Sequence, residues 1–181
     1  ERFRSIKKMF AENRSAYHQS DEYIEKRMDA IEKKFSLFEE WMFASEFDKA
    51  HEQQEEIARD VRELGDQLHA LPNLYEQARG VLPKAIDEIG LRYAQTRNKG
   101  VYLDHLEVQK NLDIISDQLK ECIAKLRTGI VTDVKENLNA MGERLLNLQD
   151  LITREDEAYS EMQDGMEKTV QRVRQVNEEF E

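Results

Sequence analysis

One cysteine, two prolines and seven glycines are all that 181 residues contain, and the longest wholly apolar run is Trp41–Ala44. Each scarcity excludes something. With Cys122 alone, no internal disulfide and no cysteine-based zinc site can form. Cys122 falls on an apolar helical seam and reads as a small buried hydrophobe. Four apolar residues in a row fall far short of a membrane span. Basic charge is also in deficit, with 27 Lys and Arg against 38 Asp and Glu. A net charge of −11 argues against a nucleic-acid binder, which needs a basic face for phosphate. Strand-like alternation is missing as well. What remains is the profile of long helices, with 36% charged residues interleaved by sign on solvated faces.

The dominant stretch runs from Ser45 to Asn98. Phe47, Ala50, Gln54, Ile57, Val61, Leu64, Leu68 and Leu71 step along it by three or four residues, and Tyr75, Ala78, Leu82, Ile86, Ile89 and Tyr93 continue the seam. A continuous helix of that length would be a rod of ~80 Å. Pro72 and Pro83 lie within it, marking a helix kink or repeat junction. The reading is continuity with a bend near Pro72, against a true break at Leu71-Pro72-Asn73.

Phe3, Ile6 and Phe10 mark an earlier helix. Ser20 is the expected N-cap of the next, whose heptad is Ile24, Met28, Ile31, Phe35, Phe38 and Met42. At that spacing Phe35, Phe38, Trp41 and Met42 read as core, while Leu37 and Phe43 lie off the seam. Ser45 should cap the long helix. Gly100 suits a left-handed helix end. After it come Val108, Leu112, Ile115, Leu119, Cys122 and Leu126, then Thr128-Gly129, then Val134, Leu138, Met141, Leu145, Leu148 and Ile152. Shifting the chain by 84 residues superposes both the seams and the stops, Ser20 on Asp104 and Ser45 on Gly129.

The predicted fold is all-α: tandem antiparallel three-helix bundles resembling spectrin repeats, sharing long connecting helices in an elongated rod. Residues 1–71 form the first repeat (helices about 1–17, 20–44, 46–71). Residues 72–155 form the second (about 73–98, 104–128, 131–155), and 156–181 begin a truncated third. Met162, Met166, Val173 and Phe180 would then present an uncovered apolar face, expected to pair with a neighbouring molecule or fray. Beginning at Glu1 in mid-helix, the chain reads as a segment of a longer one.

Chemistry finds little foothold. Asp48-x-x-His51 and Asp66-x-x-His69 put a carboxylate and an imidazole one turn apart, but a di-metal bundle also needs inward Glu on facing helices. The facing seams are Ile, Met, Phe and Leu. His51-Glu52-Gln53-Gln54-Glu55 lacks the second histidine of a zinc protease helix, and His18 and His105 complete no such pattern. No catalytic, cofactor-binding or metal-ligating residue is assigned, and the protein is expected not to be an enzyme.

Gly100-Val101-Tyr102-Leu103-Asp104-His105-Leu106 resembles the Gly-Tyr-Tyr-Leu-Glu-His-Leu signature of EzrA, the septation ring formation regulator family of Gram-positive bacteria. Leu71-Pro72-Asn73-Leu74 and Leu82-Pro83-Lys84 resemble the paired prolines that precede the turn in that family. Asn13-Arg14, Phe35-x-x-Phe38 and the Ser45–Ala50 turn are similar too. Val101 replaces the first aromatic and Asp104 the Glu. The resemblance implies a cell-division scaffold without cofactor, held on the cytoplasmic side of the membrane at the septum by an N-terminal transmembrane helix outside this segment. It also implies an arc of spectrin-like repeats that binds FtsZ and wall-synthesis proteins and restrains Z-ring assembly. The family's C-terminal Gln-Asn-Arg patch is not in this segment. The turn itself, through Tyr102, Leu103 and Leu106, has a simpler structural reading as a packed bundle corner with Asp104 as a cap. The competing functional reading is a generic spectrin-type cytoskeletal linker or coiled-coil scaffold that does not regulate FtsZ.

Overall fold

A computed structural model describes residues 1–180; Glu181 and the side chain of His18 lie outside the described residues. The chain is all-α, with no strand among the described residues. Its elements are α1 (Arg2–Glu12), a 3-10 stretch (Arg14–Ser20), α2 (Asp21–Phe43), α3 (Phe47–Glu76), a π turn (Gln77–Val81) and α4 (Leu82–Asn98). A 3-10 turn (Asp104–Leu106), α5 (Val108–Arg127) and α6 (Thr132–Phe180) complete it. Two compact units divide the chain, Glu1–Leu82 with Asp117–Asn139, and Pro83–Ser116 with Ala140–Glu181.

In the first unit α2 and α1 both pack on α3. Phe3 of α1 meets Phe35 of α2 with ring centroids 5.6 Å apart, and Lys7 pairs with Glu32, so α1 runs antiparallel to α2. The seam buries Phe3, Ile6, Phe10, Ile24, Met28, Ile31, Ala50, Ile57, Val61, Leu64, Leu68 and Leu71. Two seam positions of α3 differ from expectation. Phe47 and Gln54 are exposed and Gln53 is buried, so the covered face at the start of α3 runs Ala50, Gln53, Ile57.

Both prolines sit inside a continuous helical path. α3 runs from Phe47 to Glu76 with Pro72 inside it, and a π turn follows at Gln77–Val81. There the Leu82 N–H reaches back to the Gln77 carbonyl, one residue further than in an α-helix. A proline ring clashes with the carbonyl four residues before it, here Arg79. Widening that turn to π spacing makes room for the Pro83 ring.

Three expected caps have other roles. Ser45 does not cap α3; it occupies the left-handed region at φ 60, and Glu46 precedes the helix. Gly129, 84 residues on, is also left-handed at φ 76, so the two helix-to-helix turns share one backbone solution. Only one has the residue suited to it, since a side chain there costs about 1–2 kcal/mol. Replacing exposed Ser45 by Gly is expected to raise stability by about 0.5–1 kcal/mol, the relief exceeding glycine's unfolded-state entropy; a denaturant titration with unchanged m-value reads it directly. Asp104 starts a 3-10 turn, and α5 begins later, after left-handed Glu107. Asn111 there donates from its side chain to the Leu106 carbonyl at 3.1 Å and the Glu107 carbonyl at 3.0 Å.

Ser20 makes no cap bond and is fully buried. Its hydroxyl donates to the Leu126 carbonyl at 2.6 Å, so the Tyr75 hydroxyl, also at 2.6 Å, must donate to it. Burial pushes the Tyr75 phenol above its ordinary range, keeping the proton this bond needs. The Leu126 carbonyl also accepts the Gly129 N–H at 3.1 Å, and Gln67 Nε2 donates to the Gly129 carbonyl at 3.0 Å. The end of α5 is thereby tied to α3 and to the start of α2.

Candidate interaction surfaces

In the second unit Gly100 is left-handed at φ 104 and ends α4. Tyr159 of α6 donates to the Lys99 carbonyl at 3.0 Å, and Lys99 Nζ lies 3.2 Å from Asp156. Val101 and Leu103 point inward and are buried, and Leu106 is half-buried. Tyr102 points the other way: it is 66% exposed and stacks on His105 with ring centroids 5.3 Å apart. His105 Nε2 in turn lies 3.1 Å from Glu155. The motif therefore splits into a buried pair, Val101 and Leu103, and an outward group formed by Tyr102, Asp104 and His105. Alternation over Val101-Tyr102-Leu103 could have signalled that division.

A second surface lies at the tip of the α2–α3 hairpin. Phe3 of α1 packs at Phe35, and α2 runs on from there to Phe43. Phe35 and Met42, expected in the core, are exposed, as are Leu37, Phe43 (95%) and Phe47; Phe38 and Trp41 are half-buried. Lys49 Nζ sits 4.6 Å from the Trp41 ring centroid. Exposed Glu39, Glu40, Glu46, Asp48, Glu52 and Glu55 surround these residues.

The third surface is the far half of α6. Every residue from Glu161 to Phe180 is exposed, and Met162, Met166, Val170, Val173, Val176 and Phe180 form one apolar stripe along it.

Titratable groups form no comparable centre. No group of three or more His, Cys, Asp or Glu residues among the described residues could hold a metal ion. His51 pairs with Glu55 at 3.1 Å on an exposed face of α3. Cys122 is buried on the α5 seam, and burial raises its thiol above the ordinary range, against thiolate formation. No helix among the described residues is long and apolar enough to cross a membrane.

Long amphipathic helices with exposed apolar stripes and a charged hairpin tip define an all-α protein whose accessible features are helix faces. The family model described as "Septation ring formation regulator, EzrA" matches residues 1–181. The chain belongs to this family. It is 19% identical over 177 residues to the septation ring formation regulator EzrA of Geobacillus sp. (strain WCH70), covering 98% of this chain and 31% of the relative. It is 24% identical over 153 residues to that of Bacillus subtilis (strain 168), covering 80% of this chain and 27% of the relative. The EzrA of Staphylococcus epidermidis (strain RP62A) is 21% identical over 165 residues, with 90% of this chain and 29% of the relative covered. The chain thus spans less than a third of the length of these curated relatives. No solved structure matches it.

Proposed function

We propose that this chain is a non-catalytic segment of a regulator of bacterial cell division. In this reading the whole protein is anchored in the cytoplasmic membrane by a helix outside this segment. It acts at the septum by binding FtsZ and other division proteins and restraining Z-ring assembly. The family match over residues 1–181 carries the proposal. Mutual packing of α1, α2 and α3 supports reading residues 1–71 as one spectrin-like three-helix repeat. Residues 72–155 would be a second and residues 156–181 the start of a third, giving a rod that acts through shape and helix-face contacts. Pro72 and Pro83 would mark the junction of the first two, the Gly100–Leu106 turn would be a structural corner, and Met162, Met166, Val173 and Phe180 would be free to take a partner.

Co-sedimentation with FtsZ polymers, together with light scattering of FtsZ assembly, tests the reading. The parent protein's cytoplasmic region is expected to pellet with polymer and lower the scattering plateau. Unchanged assembly and no co-pelleting would leave a spectrin-type linker without FtsZ regulation.

A further inference from the structure

The first unit is completed by a piece of chain from far along the sequence. It joins Asp117–Asn139 to Glu1–Leu82, although the 84-residue spacing would assign the end of the α5–α6 hairpin to the second repeat. The turn there is gripped by its backbone. Gly129 is buried, while Thr128 and Ile130 on either side of it are exposed. Ser20 holds the Leu126 carbonyl, Gln67 holds the Gly129 carbonyl, and the Tyr23 ring lies where a Gly129 Cβ would be. The grip is also incomplete. Asp21, next to Ser20, and Gln67 itself each keep one buried oxygen, Oδ1 and Oε1, with no hydrogen-bond partner among the described residues.

We propose that the α5–α6 turn is a strap that lifts from α2 and α3 and closes on them as one piece. Lifting uncovers Ser20, Tyr23, Gln67 and Tyr75 while α1, α2 and α3 stay packed on one another. The motion is all-or-none for a physical reason. A buried donor and acceptor that separate slightly lose each other before water can reach them, which costs more than full separation. A half-lifted strap is therefore the least favourable position. All the carbonyls held belong to one short turn, Leu126 to Gly129, so their bonds break together. Full lifting also hydrates the two orphaned oxygens, which lowers its cost. The rest of the unit has its own ties. Lys34 pairs with Glu56 and Asp60, Lys7 pairs with Glu32, and Phe3 meets Phe35, none of them through residues 117–139. The lifted state thus lies below global unfolding in free energy. The strap does not depend on FtsZ binding.

Thiol labelling of the 181-residue chain tests this, in a Cys122→Ala background carrying one reporter cysteine at a time. Circular dichroism checks that each variant is folded. Ser20→Cys reports the strap, and its thiol can stand in as a weak donor and acceptor. Ile31→Cys reports the α1–α2–α3 core, and both positions are buried. Ser20→Cys should label about tenfold faster or more than Ile31→Cys. Its rate should also depend less on urea, because lifting a turn exposes less surface than unfolding. Adding Ile57→Ala separates the two states. Its lost packing is shared by the closed and lifted forms, so Ile31→Cys should label about tenfold faster or more while Ser20→Cys keeps its rate. Ile57→Val is the milder substitution should Ile57→Ala fail to fold, with the same pattern at smaller size. Equal labelling of the two reporters would overturn the proposal. So would an equal acceleration of both by the Ile57 change, since Ser20 would then be uncovered only by global unfolding.

Discussion

Gly129→Ala is expected to destabilise the protein by about 2–5 kcal/mol, seen as a lower denaturant midpoint with an unchanged m-value. Two effects combine. Gly129 has φ 76, a conformation that costs a residue with a Cβ about 1–2 kcal/mol. A Cβ there would also run into the ring edge of Tyr23, and overpacking of that kind costs about 1–3 kcal/mol. The two parts separate in a double-mutant cycle. In a Tyr23→Ala background Gly129→Ala should cost only the backbone part. An equal cost in both backgrounds would show that the ring swings aside freely.

Ser20→Ala should cost about 2 kcal/mol, more than removal of one hydroxyl from an ordinary capping position. The hydroxyl is buried and serves two partners at once, donating to the Leu126 carbonyl and accepting from Tyr75. Tyr75→Phe removes one of those bonds and leaves the other. Chemical denaturation of both single variants and the double should therefore show a coupling of about 1 kcal/mol. Additive effects would mean that Ser20 acts only through Leu126.

Helix faces were easy to read because burial obeys a simple period. Val108, Leu112, Ile115, Leu119, Cys122 and Leu126 are all buried, and so are Val134, Leu138, Met141, Leu145, Leu148 and Ile152. Phe35 and Met42 keep the rhythm of α2 yet are exposed, since periodicity reports which face is apolar and not whether another helix covers it. Serine at a helix start is ambiguous in a similar way. A capping hydroxyl and a buried one are the same residue beside the same acids, and the partners that distinguish Ser20, Tyr75 and Leu126, are remote in sequence. Left-handed geometry at Gly100 and Gly129 follows from residue type, whereas at Ser45 only its 84-residue correspondence with Gly129 could have signalled it.

The Ser20 bond also bears on the order in which the chain assembles. Lys7 and Glu32 are 25 residues apart and Ser20 and Tyr75 are 55 apart, whereas Ser20 and Leu126 are separated by 106. Closing a longer loop costs more chain entropy, so such contacts form late. During synthesis Ser20 and Tyr75 are both made before Leu126, so their bond can form before the Leu126 acceptor exists. Arrival of the Leu126 carbonyl then acts as a latch, and a latch engaged after the folding barrier shows itself in how slowly the structure comes apart.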